Sequence, residues 1–348
     1  MNESLVTGGL VVIVGMVLVL PFLSKRIEKQ LEAFLFVMGC LAVTISWLWS
    51  WHLVKEALVD PIKITLAVLF AGLIFKFIRP KIGKWAHAFA RRFGYSVLFF
   101  IIVAGLGLLS SVITAIIAAL ILAEVISTLR LHRSLEVRIV IIACFSIGLG
   151  AVLTPIGEPL STIAVSKLRG EPYHADFFFL LKLLGKWIIP LVLLLGILPA
   201  FLPTKHKPHE GPTLTEDKPE EAKDMFIRAG KVYIFVLALV FLGAGFTPVV
   251  DKYLVHIPSM ALYWVNIISA ILDNATLTAA EISPAMPVDT IKDALAGLLI
   301  AGGMLIPGNI PNIICASKLS IKSKEWAVFG VPLGMVIMVG FFIFLLLT

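Results

Sequence analysis

The sequence predicts an all-α polytopic membrane protein built from inverted repeats, with broken helices and two re-entrant helical hairpins. Two observations carry that expectation. Of the 348 residues, 59% are hydrophobic and 15% charged, with mean hydropathy +1.01; an ordinary soluble domain carries roughly a quarter charged residues. The stretches Leu153-Thr154-Pro155-Ile156-Gly157-Glu158-Pro159 and Leu305-Ile306-Pro307-Gly308-Asn309-Ile310-Pro311 are near-copies, and each is followed by Ser-Lys-Leu (Ser166 to Leu168, Ser317 to Leu319). Each copy interrupts an apolar run with two prolines and frees backbone groups that lipid cannot satisfy. Such breaks survive at membrane depth only where they are buried in protein or line a polar cavity. Paired interruptions in two halves of a membrane protein point to a transport site.

Taken in order, residues 1–61 supply extra scaffold helices, with apolar runs at 5–23 and 31–51. The first run lacks a basic leader and a small-residue cleavage site, so it reads as a retained span. The first repeat covers 62–202: a span at 62–78, a hairpin at about 96–128, a broken helix at about 137–168 and a span at 176–202. Within it, Ile82, Trp85, Phe89 and Phe93 recur at helical spacing among basic residues, the pattern of an interfacial amphipathic helix over 79–93. The hairpin stretch Ser96 to Thr128 is too long for one span and too short for two, and basic residues flank both ends. Its tip is expected near Ser110-Ser111. A polar linker, 203–228, joins the halves. The second repeat, 229–348, holds a span at 229–249, a hairpin at about 257–287 with its polar tip at Asp273-Asn274, a broken helix at about 290–319 and a span at 325–347.

With the N-terminus outside, most of the 29 Lys and Arg residues fall on the inner side, the linker included, as the positive-inside rule requires of a multi-pass cell-membrane protein. The first hairpin then enters from the inside and the second from the outside, so the repeats are inverted. The net charge of +7 is explained by these flanking residues, and no nucleic-acid partner is expected. The bilayer is the partner that the apolar runs require. Cys40, Cys144 and Cys315 lie singly in apolar runs and read as packing residues. The seven histidines fall in or beside predicted loops.

Acids inside a membrane are expensive, about 2.5–3.5 kcal/mol at a span centre on insertion scales, and are functional candidates by default. Asp273 sits in Asp273-Asn274-Ala275-Thr276-Leu277-Thr278, where a carboxylate, an amide oxygen and the hydroxyls of Thr276 and Thr278 offer hard ligands to a small cation. The structural alternative is a helix cap. Glu158 lies in the first break, where the second copy has Ile310. Glu124 and Glu281 fall late in the outgoing hairpin arms, where snorkelling or pairing near water is expected. Among neutral residues, Ser110, Ser111 and Thr114 occupy the first tip, Thr154, Gly157 and Ser161 the first break, and Gly308, Asn309 and Asn312 the second. Glycine lets backbone approach a ligand closely, and hydroxyl and amide groups replace water around an ion.

These motifs, together with Gly302-Gly303-Met304 before the second break, resemble the ion transporter superfamily. That superfamily includes NhaD-type sodium/proton antiporters, arsenite transporters and sodium-coupled dicarboxylate or citrate carriers. The resemblance extends loosely over residues 62–347. It implies elevator-type alternating access, a homodimeric scaffold, and ion ligands from Ser110, Ser111 and Gly157 in one half and Asp273, Asn274, Gly308 and Asn309 in the other. An alkali-cation site is expected at Asp273, Asn274, Ser110 and Ser111. The first tip reads Ser-Ser where dicarboxylate carriers usually show Ser-Asn-Thr. The expected function is secondary active transport of a small ion, a Na⁺ or Li⁺/proton antiport, with a sodium-coupled symporter of a small carboxylate or inorganic oxyanion as the alternative. No cofactor is expected beyond the transported or coupling Na⁺ and H⁺. An enzyme is not expected, since no Ser/His or metal-binding His pair stands out, and an intramembrane aspartyl protease needs two cooperating carboxylates where the motifs offer Asp273 with only a Glu as candidate partner.

Overall fold

The computed structural model describes residues 3–24, 26–27, 30–129, 131–202, 222–249, 257–272 and 274–346. Regular structure among the described residues is helical, with no strand. Helices α1 (Glu3–Leu23), α2 (Leu31–Ile45) and α3 (Trp51–Phe93) are followed by α4 (Tyr95–Ile113), which passes through a π turn at Ile101–Gly105. Next come α5 (Ala115–Leu129), α6 (Arg133–Ala151), α7 (Pro159–Lys167), α8 (Phe179–Phe201) and α9 (Ala222–Val249). The chain continues as α10 (Ser259–Val265, extended by a 3₁₀ turn at Asn266–Ala270), α11 (Asn274–Glu281), α12 (Val288–Gly302), α13 (Ile310–Lys318) and α14 (Ser323–Leu346). Five helical stretches, α4, α6, α8, Ala229–Val249 of α9, and α14, are long and apolar enough to cross a membrane.

The order of elements repeats. Helices α3 to α8 and α9 to α14 each run as a long helix, two hairpin arms, two pieces of a broken helix and a closing long helix. The packing repeats too. Arm α5 lies against α13 of the other half, and arm α11 lies against α7. The first pieces of the broken helices form the centre: α6 is buried almost continuously from Leu135 to Ala151, and α12 from Ala294 to Gly302. Outer helix α14 buries one stripe, Trp326, Gly330, Gly334, Ile337, Met338 and Phe341, and turns Val328, Val336, Ile343 and Phe344 outward, as contact with lipid requires.

At the other edge α2 packs on α9 through small residues. A Cβ on Gly39 would lie 2.9 Å from Ala238 O, and one on Gly245 would lie 2.5 Å from Ala42 Cβ. Only glycine permits such backbone approach at a membrane helix contact. Helix α3 packs against both α9 and α5.

Several boundaries correct the sequence reading. Helix α3 is unbroken over 43 residues, about 65 Å at 1.5 Å per residue, so the stretch 79–93 continues the expected span at 62–78. Its start is fixed by Ser50, whose hydroxyl accepts Leu53 N–H at 3.1 Å, and α2 stops at Ile45, short of residue 51. His87 lies inside α3. Helix α9 begins at Ala222, within the segment assigned to the linker; residues 203–221 lie outside the described residues. The first tip falls at Thr114, after Ser110 and Ser111 have completed the last turn of α4.

Candidate functional site

The two breaks form because proline removes backbone donors. Without an N–H on Pro155, the carbonyl of Ala151 loses its helical partner, and Gly157 folds back over it so closely that a Cβ there would lie 1.9 Å from Ala151 O. In the second break Pro307 likewise orphans Gly303 O, which accepts the Trp326 indole N–H at 3.2 Å. Asn312 satisfies two further freed carbonyls, donating to Gly302 O and Leu305 O, both at 2.8 Å. The chain restarts as helix with a proline in the first turn of each second piece, Pro159 and Pro311, where no N–H is needed. Asn309 begins α13 by accepting Ile310 N–H at 2.8 Å. Ser161 holds Glu158 in the equivalent place, receiving its N–H at 3.4 Å and donating to its carbonyl at 2.7 Å.

Each hairpin tip docks on the break of its own half. In the first half, Ala115 N–H would have paired with Ser111 O in a continuous helix. It donates instead to Gly157 O at 2.8 Å, and the Thr154 hydroxyl donates to Ser111 O. Tip and break thus exchange backbone partners. The exchange holds Thr114 at φ 76°, ψ 149°, a conformation foreign to a β-branched residue. In the second half, Gly308 sits where a Cβ would lie 2.5 Å from Gly302 O and 2.7 Å from Ser269 O. Asn274 opens α11 beside Gly302, its Nδ2 3.5 Å from the would-be Cβ there, and that Nδ2 is buried without a partner among the described residues.

The two docked units meet through Asn309, whose amide rests on Gly148 of α6, 2.5 Å from where a Cβ would stand. Gly303 is likewise pressed on the Phe145 ring, 2.4 Å from its would-be Cβ. Among the sequence candidates, the fold brings together Ser111, Thr114, Thr154 and Gly157 in one unit and Asn274, Gly308 and Asn312 in the other, with Asn309 between them. Ser110 is fully buried, but its hydroxyl goes to Gly107 O at 2.6 Å and Ile147 O at 3.0 Å; that of Ser111 goes to Leu108 O at 2.7 Å. Thr278 is buried one turn along α11 and donates to Asn274 O at 2.8 Å. Glu158 is 5% exposed at the start of α7. Asp273 and the Thr276 side chain lie outside the described residues. Among those described, no group of three or more His, Cys, Asp or Glu is placed to hold a metal ion.

Glu124 and Glu281 do not snorkel. They are 3% and 1% exposed, because the outgoing arms pack on the other half's helices instead of on solvent. Lys318 Nζ donates to Glu124 Oε2 at 2.6 Å, and Asn266 Nδ2 donates to Glu281 Oε2 at 3.0 Å. Lys167, at the position in α7 that Lys318 holds in α13, donates to Ala279 O and Ile282 O. Sequence reasoning missed both lysines as partners, although the repeated Ser-Lys-Leu marked them. It also missed Asn266 and Ser269, which nothing in their local pattern singles out.

Thr154→Val keeps the shape of the side chain and removes the donor to Ser111 O. That variant is expected to lose about 1–3 kcal/mol through the unsatisfied buried carbonyl, seen as a lower thermal midpoint in detergent, whereas Thr154→Ser retains the bond and the midpoint.

These features define an integral multi-pass membrane protein whose centre is a pair of broken helices, each capped by a hairpin tip. The chain belongs to the DUF1646 family, described as a protein of unknown function, whose model matches residues 7–348. Among curated proteins, none matches the sequence.

Proposed function

We propose that this protein is a secondary active ion transporter of the ion transporter superfamily type, exchanging Na⁺ or Li⁺ for protons by elevator-like alternating access. The observation that carries the reading is the duplicated docking of a hairpin tip on a helix break, with the two units joined at Asn309 and Gly148. Unwound backbone at the centre of a membrane protein is the signature of an ion pathway. In this reading the hairpins are re-entrant, the repeats have opposite topology, and α2, α3 and α9 belong to a fixed scaffold. The ends of α4, α6, α10 and α12 present carbonyls at the breaks and tips, and α5, α7, α11 and α13 begin there, so both signs of partial charge are available to a desolvated ion. Asp273, next in sequence to Asn274, supplies the carboxylate that a proton and a cation contest, and Glu158 is its counterpart in the first unit. Competition couples the two fluxes, because burial favours the protonated acid and a bound cation favours the anion.

The test is a proteoliposome assay with an internal pH dye, in which Na⁺, Li⁺, K⁺ or Ca²⁺ is added in turn. Proton movement with Na⁺ or Li⁺ that disappears in Asp273→Asn is the expected result; wild-type flux in that variant removes Asp273 from the site. The buried donor of Asn274, without a partner among the described residues, favours a second reading, sodium-driven uptake of a small carboxylate or oxyanion. No proton movement with any cation, together with anion uptake that follows a sodium gradient, decides for it.

A further inference from the structure

We infer that Glu281 is a proton-binding site, its carboxyl holding one proton in a hydrogen-bonded pair with Asn266. The internal duplication supplies the comparison. Each broken helix ends on a lysine, Lys167 or Lys318, and each lysine reaches the outgoing hairpin arm of the other half. In one case the lysine meets a carboxylate: Lys318 and Glu124 form an ion pair at 2.6 Å with side chains 9% and 4% exposed. In the other, Lys167 donates to the carbonyls of Ala279 and Ile282, on either side of Glu281. The two halves therefore hold one carboxylate with a countercharge and one held by an amide.

Glu281 has a single hydrogen-bond partner among the described residues. Asn266 Nδ2 gives one hydrogen to Glu281 Oε2 at 3.0 Å and the other to Ala294 O at 3.1 Å. Two oxygens of the pair, Glu281 Oε1 and Asn266 Oδ1, are buried without a partner among the described residues. Both are acceptors, and the anion and amide have no donor left to offer them. A proton on Glu281 supplies that donor. It also removes the charge that makes a bare carboxylate so unfavourable in a dry interior.

The other described ionisable groups on elements packed against α11 are engaged elsewhere or distant along their helices. Lys167 serves the two carbonyls and Glu158 stands at the far end of α7. On α12, Lys292 lies 3.0 Å from Asp289 and 3.9 Å from Asp293. On α9, Lys231 lies 3.7 Å from Glu32, and the Tyr233 hydroxyl donates to Leu58 O at 2.8 Å. On α10, Tyr263 donates to Met338 O at 2.8 Å. In transport Glu281 would carry a proton additional to the one that Asp273 exchanges for the cation. That use rests on the antiport reading; the protonation does not.

Infrared difference spectroscopy of the purified full chain over its pH range of stability tests the protonation. The expected result is a protonated-carboxyl band that is absent from Glu281→Gln, shifted in Asn266→Ala and retained in Glu124→Gln. Glu281→Gln offers the same donor and acceptor as the neutral acid, so it is expected to keep the wild-type thermal midpoint. An acid band that survives Glu281→Gln overturns the proposal, as does one lost in Glu124→Gln instead. So does a Glu281 carboxylate band that responds to Na⁺, which makes this a cation site. In proteoliposomes Glu281→Gln is expected to lose cation-driven proton flux, and wild-type flux in that variant overturns the carrier role. An acid band assigned to Glu281 in a protein that moves no protons with any cation upholds the site and sinks the antiport reading.

Discussion

Lys318→Met is expected to remove about 3–5 kcal/mol of stability, the scale for stripping one partner from a buried ion pair. Lys318 and Glu124 are 2.6 Å apart, and both side chains are almost wholly shielded. Losing the ammonium takes the countercharge at 2.6 Å from a carboxylate only 4% exposed, at an interface between the two halves. Glu124→Leu is expected to do comparable damage by removing the buried lysine's carboxylate partner. The double variant Lys318→Met/Glu124→Leu removes both charges and replaces them with apolar volume. It is expected to return to within about 1 kcal/mol of the wild type, since apolar replacement of a whole buried pair is often neutral or stabilising. Thermal unfolding of the four proteins in one detergent completes the cycle. A single variant with the wild-type midpoint would show that the pair does not hold α13 to α5.

The repeat was legible in the sequence because proline and glycine act locally. A lone proline does not suffice, since Pro190 and Pro332 sit inside α8 and α14; the repeated pair of prolines four apart with a glycine between them marks Pro155–Pro159 and Pro307–Pro311, and the structure places a helix break at each. What depended on tertiary contact was less legible. The first tip was expected near Ser110-Ser111, with Thr114 counted in it. The helix instead runs on to Ile113 and turns at Thr114, where the exchange of hydrogen bonds with Thr154 and Gly157 imposes a positive φ that no propensity of threonine announces. Glu124 and Glu281 were placed near water from their position late in each arm. They are buried because α5 and α11 pack on the other half, a contact invisible to periodicity. Helix α3 carries the charged Lys55 and Glu56 by burying Leu53 and Ala57 one turn apart and exposing the charged side chains.

Gly150→Val is expected to unfold the centre of the molecule or leave it too unstable to purify as a single species. A Cβ on Gly150 would lie 1.8 Å from Gly107 O and 2.6 Å from Gly107 C. These are backbone atoms inside α4, so no side chain can swing aside, and the helices must part by roughly 1 Å or more in an interior with no slack. Parting them breaks what the close approach permits: Ser110 Oγ donating to Ile147 O at 3.0 Å and Ser146 Oγ donating to Val103 O at 2.8 Å. Each bond contributes about 1 kcal/mol net, on top of an overpacking penalty of about 1–3 kcal/mol. Two other glycines separate this effect from helix propensity. Gly340→Ala meets nothing within 4 Å and is expected to be neutral or slightly stabilising, by up to about 1 kcal/mol. Gly148→Ala meets only the end of the Asn309 side chain, at 2.5 Å, which can turn away. That variant is expected to fold and to lose ion transport. Size-exclusion profiles and thermal midpoints across the three variants read the stability arm, and the proteoliposome assay reads the other. A monodisperse Gly150→Val protein with the wild-type midpoint would mean that α4 and α6 do not meet at Gly107 and Gly150. Normal flux in Gly148→Ala would mean that Asn309 is packing material and not part of the ion path.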